Sequence, residues 1–236
     1  GFSHTHLSGT GHSDLGDVML MPQTGRLILT PGTTSRPDEG YRSRYSHNTE
    51  KASAGYYEVT LADNNVRVQL TATPRVGVHK YTFPKGQDSR LILDLLHGIY
   101  NYDGKVLWSS IRVENDTLLT GYRITNGWAR ANYTYFAISF SKPILSYGYR
   151  KKRPKYLGFW RKFQLYQDFP EMAGQNMVAY FNFDNSRSQD LTVKVALSAV
   201  STEGAQKNLA TEVGSKSFEE VYATTRASWQ RELSII

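Results

Sequence analysis

Short runs of apolar or alternating apolar and polar residues, separated by turn residues, follow one another from Asp17 onward. Alternation with a period of two is typical of half-buried strands, and short strands at regular spacing favour an antiparallel sandwich or barrel. The runs are DVMLMP, RLILT, YYEVTLAD, VRVQLTATP, RLILDLLHG, TYFAISFS, VAYFNFD and LTVKVALSAVS. The pattern therefore predicts a mainly β domain in which sequential strands pair antiparallel.

Three pairs of turn-forming residues lie among these runs, at Asn64-Asn65, Asp103-Gly104 and Asn115-Asp116. Asn, Asp and Gly readily adopt the positive φ angles that two-residue hairpin loops require. We therefore expect a tight hairpin at each of these positions.

A helical pattern is clear only near the C-terminal end of the chain. Ser217 and Glu220 have the spacing of a capping box, and a shorter helix is predicted over residues 202–213. The apolar face of the last helix carries Phe218, Val221, Tyr222, Trp229, Leu233 and Ile236. That helix ends on apolar residues without a glycine cap, so we expect the natural chain to continue beyond it. We divide the given chain into a sandwich over residues 1–213 and a terminal helix over residues 214–236.

The composition limits the possible chemistry. A chain of 236 residues can bury a sizeable core without disulfides or metals. Cysteine is absent, which excludes thiolate catalysis and cysteine-ligated zinc in this segment. No apolar run approaches the roughly 20 residues of a membrane-spanning helix, so we expect no membrane-spanning segment. Aromatic residues make up 13 %, which suits both pleated sheet surfaces and platforms for sugar rings.

The net charge of +7 comes from one segment. Residues 142–162 hold eight Lys and Arg residues and no acidic residue, and the rest of the chain is close to neutral. Aromatic residues alternate with the basic ones, as in proteins that bind single-stranded nucleic acids, and Tyr156 and Trp160 could instead stack on a sugar. No nucleic-acid-binding motif accompanies them. We therefore interpret the segment as the basic tip of a hairpin and expect no nucleic-acid partner.

The first seventeen residues, GFSHTHLSGTGHSDLGD, are rich in hydrogen-bonding groups and contain three of the six histidines. Glycines let this backbone approach a ligand closely. His4 and His6 point the same way in an extended chain, and this arrangement suits hydrogen bonding to a polyol.

Three interpretations of this segment compete. Zinc could bind His4, His6, His12 and Asp14, although no standard ligand spacing is present. Asp14 and Asp17 could form a carboxylate pair of the glycosidase kind. The histidines could also serve a purely structural loop by bonding to the backbone. The residues by themselves leave these alternatives open.

A second polar cluster lies in YRSRYSHNTEKASAGYY, where Ser46, His47 and Glu50 supply a hydroxyl, an imidazole and a carboxylate. Side chains within five residues seldom converge as nucleophile, base and orienting acid, and no G-x-S-x-G motif accompanies them. We therefore interpret this cluster as a solvated or domain-facing loop, not as a catalytic triad.

Five blocks of the sequence, taken in order, resemble the N-terminal domain of glycoside hydrolase family 92, the calcium-dependent exo-acting α-mannosidases, which include α-1,2-mannosidases. These blocks are GFSHTHLSGTG, SHNTEKASAGYYEVTL, LTATPRVGVHKYTFP, GYRITNGWARANYTYFAISFSKP and VKVALSAVSTEGAQKNLATEV. The resemblance spans nearly the whole chain, and five blocks in order are far more specific than any one of them.

The resemblance implies an antiparallel β-sandwich of the supersandwich type, followed by a linker helix and a large (α/α)6 catalytic domain. In that family the active site lies between the two domains, mannose is released with inversion, and the catalytic carboxylates and calcium ligands come mainly from the catalytic domain. We therefore expect no catalytic residue and no metal ligand in residues 1–236, and calcium as a cofactor of the complete enzyme. Because family members carry a further strand region and loop ahead of GFSH, we expect the domain to be incomplete at its front.

Carried over residue by residue, the family's GFSH-x-H-x-SG motif implies that the first residues form one wall of the active-site cleft. The substrate-binding residues implied in this way are Gly1, Phe2, Ser3, His4 and His6. The block around Glu50 is expected on the same side of the domain.

The sequence thus predicts the N-terminal domain of an α-mannosidase that hydrolyses terminal α-linked mannose from glycans with inversion, as in N-glycan degradation. The segment by itself is expected to be inactive. Its expected partners are mannose-containing glycans and the catalytic domain of the same chain, in the periplasm, outside the cell or at its surface. The alternative is a non-catalytic, carbohydrate-binding sandwich module.

Overall fold

A computed structural model describes residues 1–6, 15–33, 35–150 and 170–235. Within these ranges the chain forms two α-helices, α1 (Thr202–Glu212) and α2 (Phe218–Leu233), and short 3-10 helices at Pro37–Glu39 and His47–Thr49. The strands are β1 (Met19–Gln23), β2 (Lys51–Ser53), β3 (Tyr56–Leu61), β4 (Val66–Ala72), β5 (Val76–Thr82), β6 (Ser89–Asp94), β7 (Val106–Asn115), β8 (Leu118–Thr125), β9 (Asn132–Phe140), β10 (Ile144–Tyr149), β11 (Glu171–Gly174), β12 (Val178–Phe183) and β13 (Asp190–Ser198).

The strands form two antiparallel sheets that pack as a sandwich. One sheet has the order β1-β6-β12-β10, and the other has the order β11-β7-β8-β9-β13-β5-β4-β3-β2. Hairpins connect β2 to β5 and β7 to β9 in sequence, as the alternating runs predict, whereas consecutive strands lie in different sheets after β1, β5, β6, β9, β10, β11 and β12. The predicted fold, a mainly β antiparallel sandwich with a C-terminal helix, is confirmed.

The core lies between the two sheets. Aromatic residues from both sheets fill it, with Tyr81 and Phe136 on the large sheet and Phe181 on the small one fully buried. Every residue of β6 is buried, including Asp94. That carboxylate accepts hydrogen bonds from the Tyr41 hydroxyl (2.6 Å) and from a backbone amide two residues on. Buried charges are tolerated only when they are paired or hydrogen-bonded. These contacts therefore allow the Asp94 carboxylate to be buried at the end of an otherwise mostly apolar strand.

Both helices pack on the outer face of the nine-stranded sheet. Val76 and Val78 of β5 form a second apolar cluster with Val213, Phe218 and Val221. Both predicted helices are confirmed, and the capping box is formed: the Ser217 amide donates to Glu220 Oε2 (2.8 Å) and the Glu220 amide donates to Ser217 Oγ (3.2 Å). The division of the chain at residue 213 stays a prediction. Neither helix in the described ranges is long and apolar enough to cross a membrane.

Two of the three predicted hairpins are confirmed, because Asn64-Asn65 connects β3 to β4 and Asn115-Asp116 connects β7 to β8. Asp103-Gly104 forms a turn, with φ of +84° at the glycine, but no hairpin. It lies between β6 and β7, which belong to different sheets. The prediction of a hairpin there is therefore wrong.

The predicted strand RLILT is also wrong, since residues 26–30 belong to neither sheet. The side chain of Gln23 takes the place of a strand partner for this segment. Its amide oxygen accepts from the Ile28 N–H (3.2 Å) and its amide nitrogen donates to the Ile28 carbonyl (3.1 Å). Because the Gln23 side chain satisfies both backbone groups of Ile28, the centre of this segment does not require a neighbouring strand.

The capping box gives a first prediction. Ser217→Ala removes the hydroxyl that accepts from the first turn of α2, and such a loss costs about 1 kcal/mol. We expect the free energy of unfolding, measured by urea denaturation, to fall by about that amount. Ser215→Ala is the matched control, since Ser215 is exposed in the turn between the helices. Equal effects of the two substitutions would contradict a role for the cap.

Candidate functional site

A broad cleft of about 1410 Å³ opens at one end of the sandwich. Residues 2–6 form one side of it, which we call the wall. The cleft is also lined by the turn between β4 and β5, the start of β9, the end of β13 and helix α1. Trp229 of α2 contributes to the lining as well. Ligand sites are usually concave and mostly apolar with a few placed polar groups. We take this cleft as the candidate site.

The first six residues are held against the sandwich by a short antiparallel ladder. Phe2 exchanges both backbone hydrogen bonds with Leu20 of β1, at 2.8 and 2.9 Å, and the His4 amide donates to the Asp17 carbonyl (3.0 Å). The Phe2 side chain packs on the main core. The backbone of this wall is therefore fixed by the same strand that opens the four-stranded sheet.

A buried ion pair lies behind the wall. Asp17 and Arg123 of β8 are 1 % and 0 % exposed, and Arg123 Nη1 donates to Asp17 Oδ1 at 2.9 Å. The other carboxylate oxygen accepts from the Thr5 hydroxyl (2.6 Å), which in turn accepts from the Asp17 amide (2.9 Å). This arrangement connects the wall to β8, an interior strand of the large sheet. It also occupies both oxygens of the Asp17 carboxylate.

The guanidinium of Arg123 is incompletely paired. Its Nε and Nη2 atoms are buried and have no hydrogen-bond partner among the described residues. Burial lowers the pKa of Arg123, although arginine stays charged at any physiological pH. Among the described residues, Asp17 compensates this charge through a hydrogen bond, and the buried Asp94 carboxylate favours it electrostatically.

A chain of three side chains supports the wall from the sheet side. His4 Nδ1 lies 2.6 Å from the Val18 carbonyl, His4 Nε2 lies 2.8 Å from His79 Nε2, and His79 Nδ1 lies 2.7 Å from the Tyr81 hydroxyl. One assignment satisfies all three contacts: His4 donates to the carbonyl, His79 donates to His4, and Tyr81 donates to His79. Both imidazoles are then neutral, with both ring nitrogens of each in use.

Burial keeps the two imidazoles neutral. It lowers the pKa of His4 to about 4 and holds the pKa of His79 well below its usual range, because a charged imidazole loses its hydration there. The same desolvation raises the pKa of Tyr81 well above its usual range. The phenol therefore remains a hydrogen-bond donor to His79.

Gly77 provides the room for this contact. A Cβ atom at this position would lie 2.7 Å from His4 Cδ2, closer than atoms of real side chains approach. A glycine in the interior of a strand weakens it and often marks a close approach of another group. Here it lets the imidazole of the wall lie directly on β5.

The five residues predicted to bind substrate occupy different environments. Phe2, Ser3, His4 and His6 line the cleft, and Gly1 is exposed beside it. His4 faces the protein and has no ring nitrogen left for a ligand. His6 is exposed, and its Nε2 lies 3.1 Å from the Ser3 hydroxyl and 3.0 Å from the Ser3 carbonyl. Ser3 and His6 are thus the wall side chains with polar atoms at the open cleft.

The block around Glu50 reaches the cleft through Tyr57. The Tyr57 hydroxyl donates to Glu50 Oε1 (2.6 Å), and His47 Nδ1 contacts the other oxygen (2.5 Å). These hydrogen bonds lower the pKa of Glu50, that of Tyr57 contributing most. Ser46 instead caps the short 3-10 helix by accepting from a backbone amide. The three residues form no nucleophile-base pair, in agreement with their interpretation as a loop cluster.

The other sequence hypotheses lie partly outside the described residues. His12, Asp14, Tyr156 and Trp160 fall there, so the zinc and carboxylate-pair hypotheses have only His4, His6 and Asp17 within the described ranges. Across those ranges no group of three or more His, Cys, Asp or Glu side chains could hold a metal ion. The described part of the basic segment begins with Lys142, whose ammonium donates to the carbonyls of Asp184 (2.9 Å) and Ser188.

Sequence reasoning missed Arg123 and Gly77. A signal for the first was present, since Arg123 falls at an inward position of a strand whose other inward residues are Leu119, Gly121 and Thr125. An arginine in that phase indicates a buried partner of opposite charge. No comparable signal reveals that Gly77 lies beneath His4.

The buried pair gives a stability prediction. Asp17→Asn leaves the buried Arg123 guanidinium without its hydrogen-bonded carboxylate, a change that costs about 3–5 kcal/mol. We expect the free energy of unfolding in urea to fall by that amount. The control Glu39→Gln breaks the exposed Arg36–Glu39 pair and should cost less than about 1 kcal/mol. A cost for Asp17→Asn as small as the control's would contradict the anchoring role.

The histidine pair gives a pH prediction. Both folded-state pKa values lie below the ordinary value of 6.5, so the unfolded chain binds more protons as the pH falls below 6.5. Stability is therefore lost as the pH falls below 6.5. His4 contributes up to about 1.4 kcal/mol per pH unit down to about pH 4, and the buried His79 adds a loss of the same sign. We expect His79→Gln to show a shallower loss than the wild type in urea denaturation. His6→Gln, the control, should keep the wild-type slope, and a wild-type slope in His79→Gln would refute the pair.

Residues 1–198 match the model of the glycosyl hydrolase family 92 N-terminal domain. The chain is also similar to a family GH92 α-mannosidase from Bacteroides thetaiotaomicron, at 38 % sequence identity and a TM-score of 0.88 over 99 % of this chain and 31 % of that one. The structure of that enzyme in complex with mannoimidazole gives 40 % identity and a TM-score of 0.87 over 99 % of this chain and 30 % of that one.

A family GH92 inverting mannosidase from the same organism is 27 % identical, with a TM-score of 0.72 over 91 % of this chain and 26 % of that one. No curated protein matches the chain significantly. The chain thus spans less than a third of the length of the solved relatives. Since the family match covers most of the described sandwich, the chain belongs to glycosyl hydrolase family 92 and carries its N-terminal domain.

Proposed function

We propose that this chain is the N-terminal domain of an inverting α-mannosidase that releases terminal α-linked mannose from glycans, with calcium as a cofactor of the complete enzyme. Family membership supports the proposal, together with the names of two relatives, an α-mannosidase and an inverting mannosidase. The observation that carries it is the placement of the GFSH-x-H wall along the cleft. Bond cleavage is assigned to groups outside residues 1–236.

The wall suits a binding and positioning role. Ser3 and His6 contact each other at the open side of the cleft, and sugar hydroxyls can replace such an exposed contact at little cost. His4 and Asp17 lie behind them and hold the backbone in place. Binding groups that are held before the substrate arrives pay less ordering entropy on binding. The domain therefore contributes to the reaction by orienting mannose.

Calcium is part of the proposal for the complete enzyme only. The described residues do not provide a cluster of ligands for it, since Ca²⁺ takes six to eight oxygen ligands in proteins. We therefore assign no step of the reaction on this domain to the metal. Its ligands are proposed to lie beyond residues 1–236.

The test uses the complete enzyme with α-mannosides as substrates. His6→Ala should lower kcat/KM about tenfold without lowering Tm, because one to two hydrogen bonds to the sugar are lost. His4→Ala should lower both kcat/KM and Tm, because it removes a support of the wall. Lys85→Ala is the control, since Lys85 is exposed in the turn after β5, at the far end of that strand from the cleft.

If both histidine variants keep the wild-type kcat/KM, the assignment of the wall is wrong. The same assay is repeated after chelation of divalent ions and after addition of Ca²⁺. Activity that is lost on chelation and restored by Ca²⁺ supports the cofactor proposal. Activity that persists without the metal refutes the cofactor proposal. The role of the wall is then judged from the histidine variants alone.

A further inference from the structure

Four aromatic side chains lie together on the outer face of strands β7, β8 and β9. Trp108 is directly opposite Ile124, which is opposite Tyr133, so the three share one face. Tyr122 and Tyr135 are opposite each other in the next row of the same face. We call Trp108, Tyr122, Tyr133 and Tyr135 the aromatic face.

The rings of the aromatic face are arranged regularly. Tyr133 and Tyr135 are nearly parallel, at 16°, with ring centroids 6.2 Å apart, and Tyr122 lies 5.9 Å from Tyr135. The three tyrosine rings therefore form one contiguous row on the sheet surface. A register shift between residues 106 and 108 marks a bulge in β7 just before Trp108, and bulges often re-aim a side chain beside a functional site.

The aromatic face is accessible although its residues are large. Trp108 is 43 % exposed and Tyr133 is 46 % exposed. Helices α1 and α2 cover the neighbouring part of the same sheet face, where Val76 and Ala196 contact Val213 and Phe218. The apolar cluster beneath the helices is aliphatic for the most part, whereas the uncovered part is aromatic. The two parts of one face therefore present different chemistry.

The face is uncharged. Its rows consist of the four aromatic residues with Ile124 and Ser110, and the nearest charges along β7, Arg112 and Glu114, neutralise each other at 3.4 Å. A neutral surface offers nothing to the phosphates of a nucleic acid or to another anionic ligand. Rings with hydroxyl groups match a ligand that is apolar on one side and polar at its edge. A neutral hexose, with C–H groups on its ring faces and hydroxyls around them, has this character.

The aromatic face is continuous with the cleft. Tyr133 belongs to both, since it lies in the outer aromatic row and also lines the cleft together with residues 132 and 134. A linear glycan whose terminal sugar enters the cleft would leave it across Tyr133. The rings of Tyr135, Tyr122 and Trp108 lie further along this path.

We propose that the aromatic face binds the sugar units that follow the terminal mannose in a neutral, mannose-containing oligosaccharide. The proposal rests on the function proposed above and specifies its substrate as an extended glycan. Each stacked sugar adds affinity without taking part in the reaction. The KM for a long glycan is therefore lower than the KM for a substrate with a single sugar.

The test compares two substrates of the complete enzyme, linear α-linked mannotetraose and α-mannosyl fluoride, whose leaving group is too small to reach the aromatic face. Trp108→Thr removes the ring and keeps a β-branched residue in the strand. We expect KM for mannotetraose to rise about three- to tenfold, with kcat/KM for α-mannosyl fluoride unchanged. Trp108→Phe, which keeps a flat ring, should remain close to the wild type.

Leu145→Ala is the matched control, since Leu145 is 64 % exposed on the opposite sheet. It should change neither substrate. Equal losses for both substrates in Trp108→Thr, together with a lower Tm, would mean that the face packs against another part of the enzyme and would overturn the proposal. An unchanged KM for mannotetraose in that variant would overturn it as well. If Trp108→Thr does not fold, Tyr122→Thr replaces it with the same expected outcome.

A binding titration separates this proposal from the function on which it rests. Mannotetraose is titrated against the wild type and Trp108→Thr, with mannose as the reference ligand. If the wild type hydrolyses neither substrate but binds mannotetraose more tightly than mannose in a Trp108-dependent manner, the proposed hydrolysis is wrong and the aromatic face is supported. If hydrolysis is observed and the tetraose binds no better than mannose, the aromatic face is wrong.

Discussion

The candidate site depends above all on the buried ion pair between Asp17 and Arg123. The pair joins the segment that precedes β1 to β8, an interior strand of the nine-stranded sheet, and Thr5 extends it into the first residues of the chain. A buried charge without its partner is costly. The wall can therefore leave the sheet only if the Asp17 carboxylate separates from Arg123. That separation would leave the Arg123 charge buried without its hydrogen-bonded partner. This constraint gives residues 2–6 a defined position on the sandwich.

The histidine contact holds the neighbouring residue of the same wall. His4 meets His79 across Gly77, and Tyr81 completes the chain of donors. Every polar atom in this chain has a partner, so a neutral buried network is stable where charged imidazoles would not be. The two described histidines of this segment therefore have different roles. His4 supports the backbone, whereas His6 presents its ring at the open cleft.

The two faces of the large sheet follow from the same alternation of side chains. Inward residues fill the core between the sheets, and outward residues either lie beneath α1 and α2 or form the aromatic face. The aliphatic part is covered, which is where exposure to water would cost most. The tyrosines and Trp108 carry polar groups and tolerate partial exposure. One sheet thereby supports both the interior and a surface suited to sugars.

The sequence by itself determined the local features: the β-class, two hairpins, both helices with the capping box, and the family blocks. These depend on neighbouring residues, so period, turn chemistry and caps reveal them. Only the tertiary structure decided that Asp17 meets Arg123 and that His4 meets His79, since each pair joins strands that sequence order does not place side by side. It also decided that RLILT forms no strand, because the Gln23 side chain takes both backbone groups of Ile28 at its centre. Contacts between distant residues depend on how the whole chain packs, and no short pattern records them.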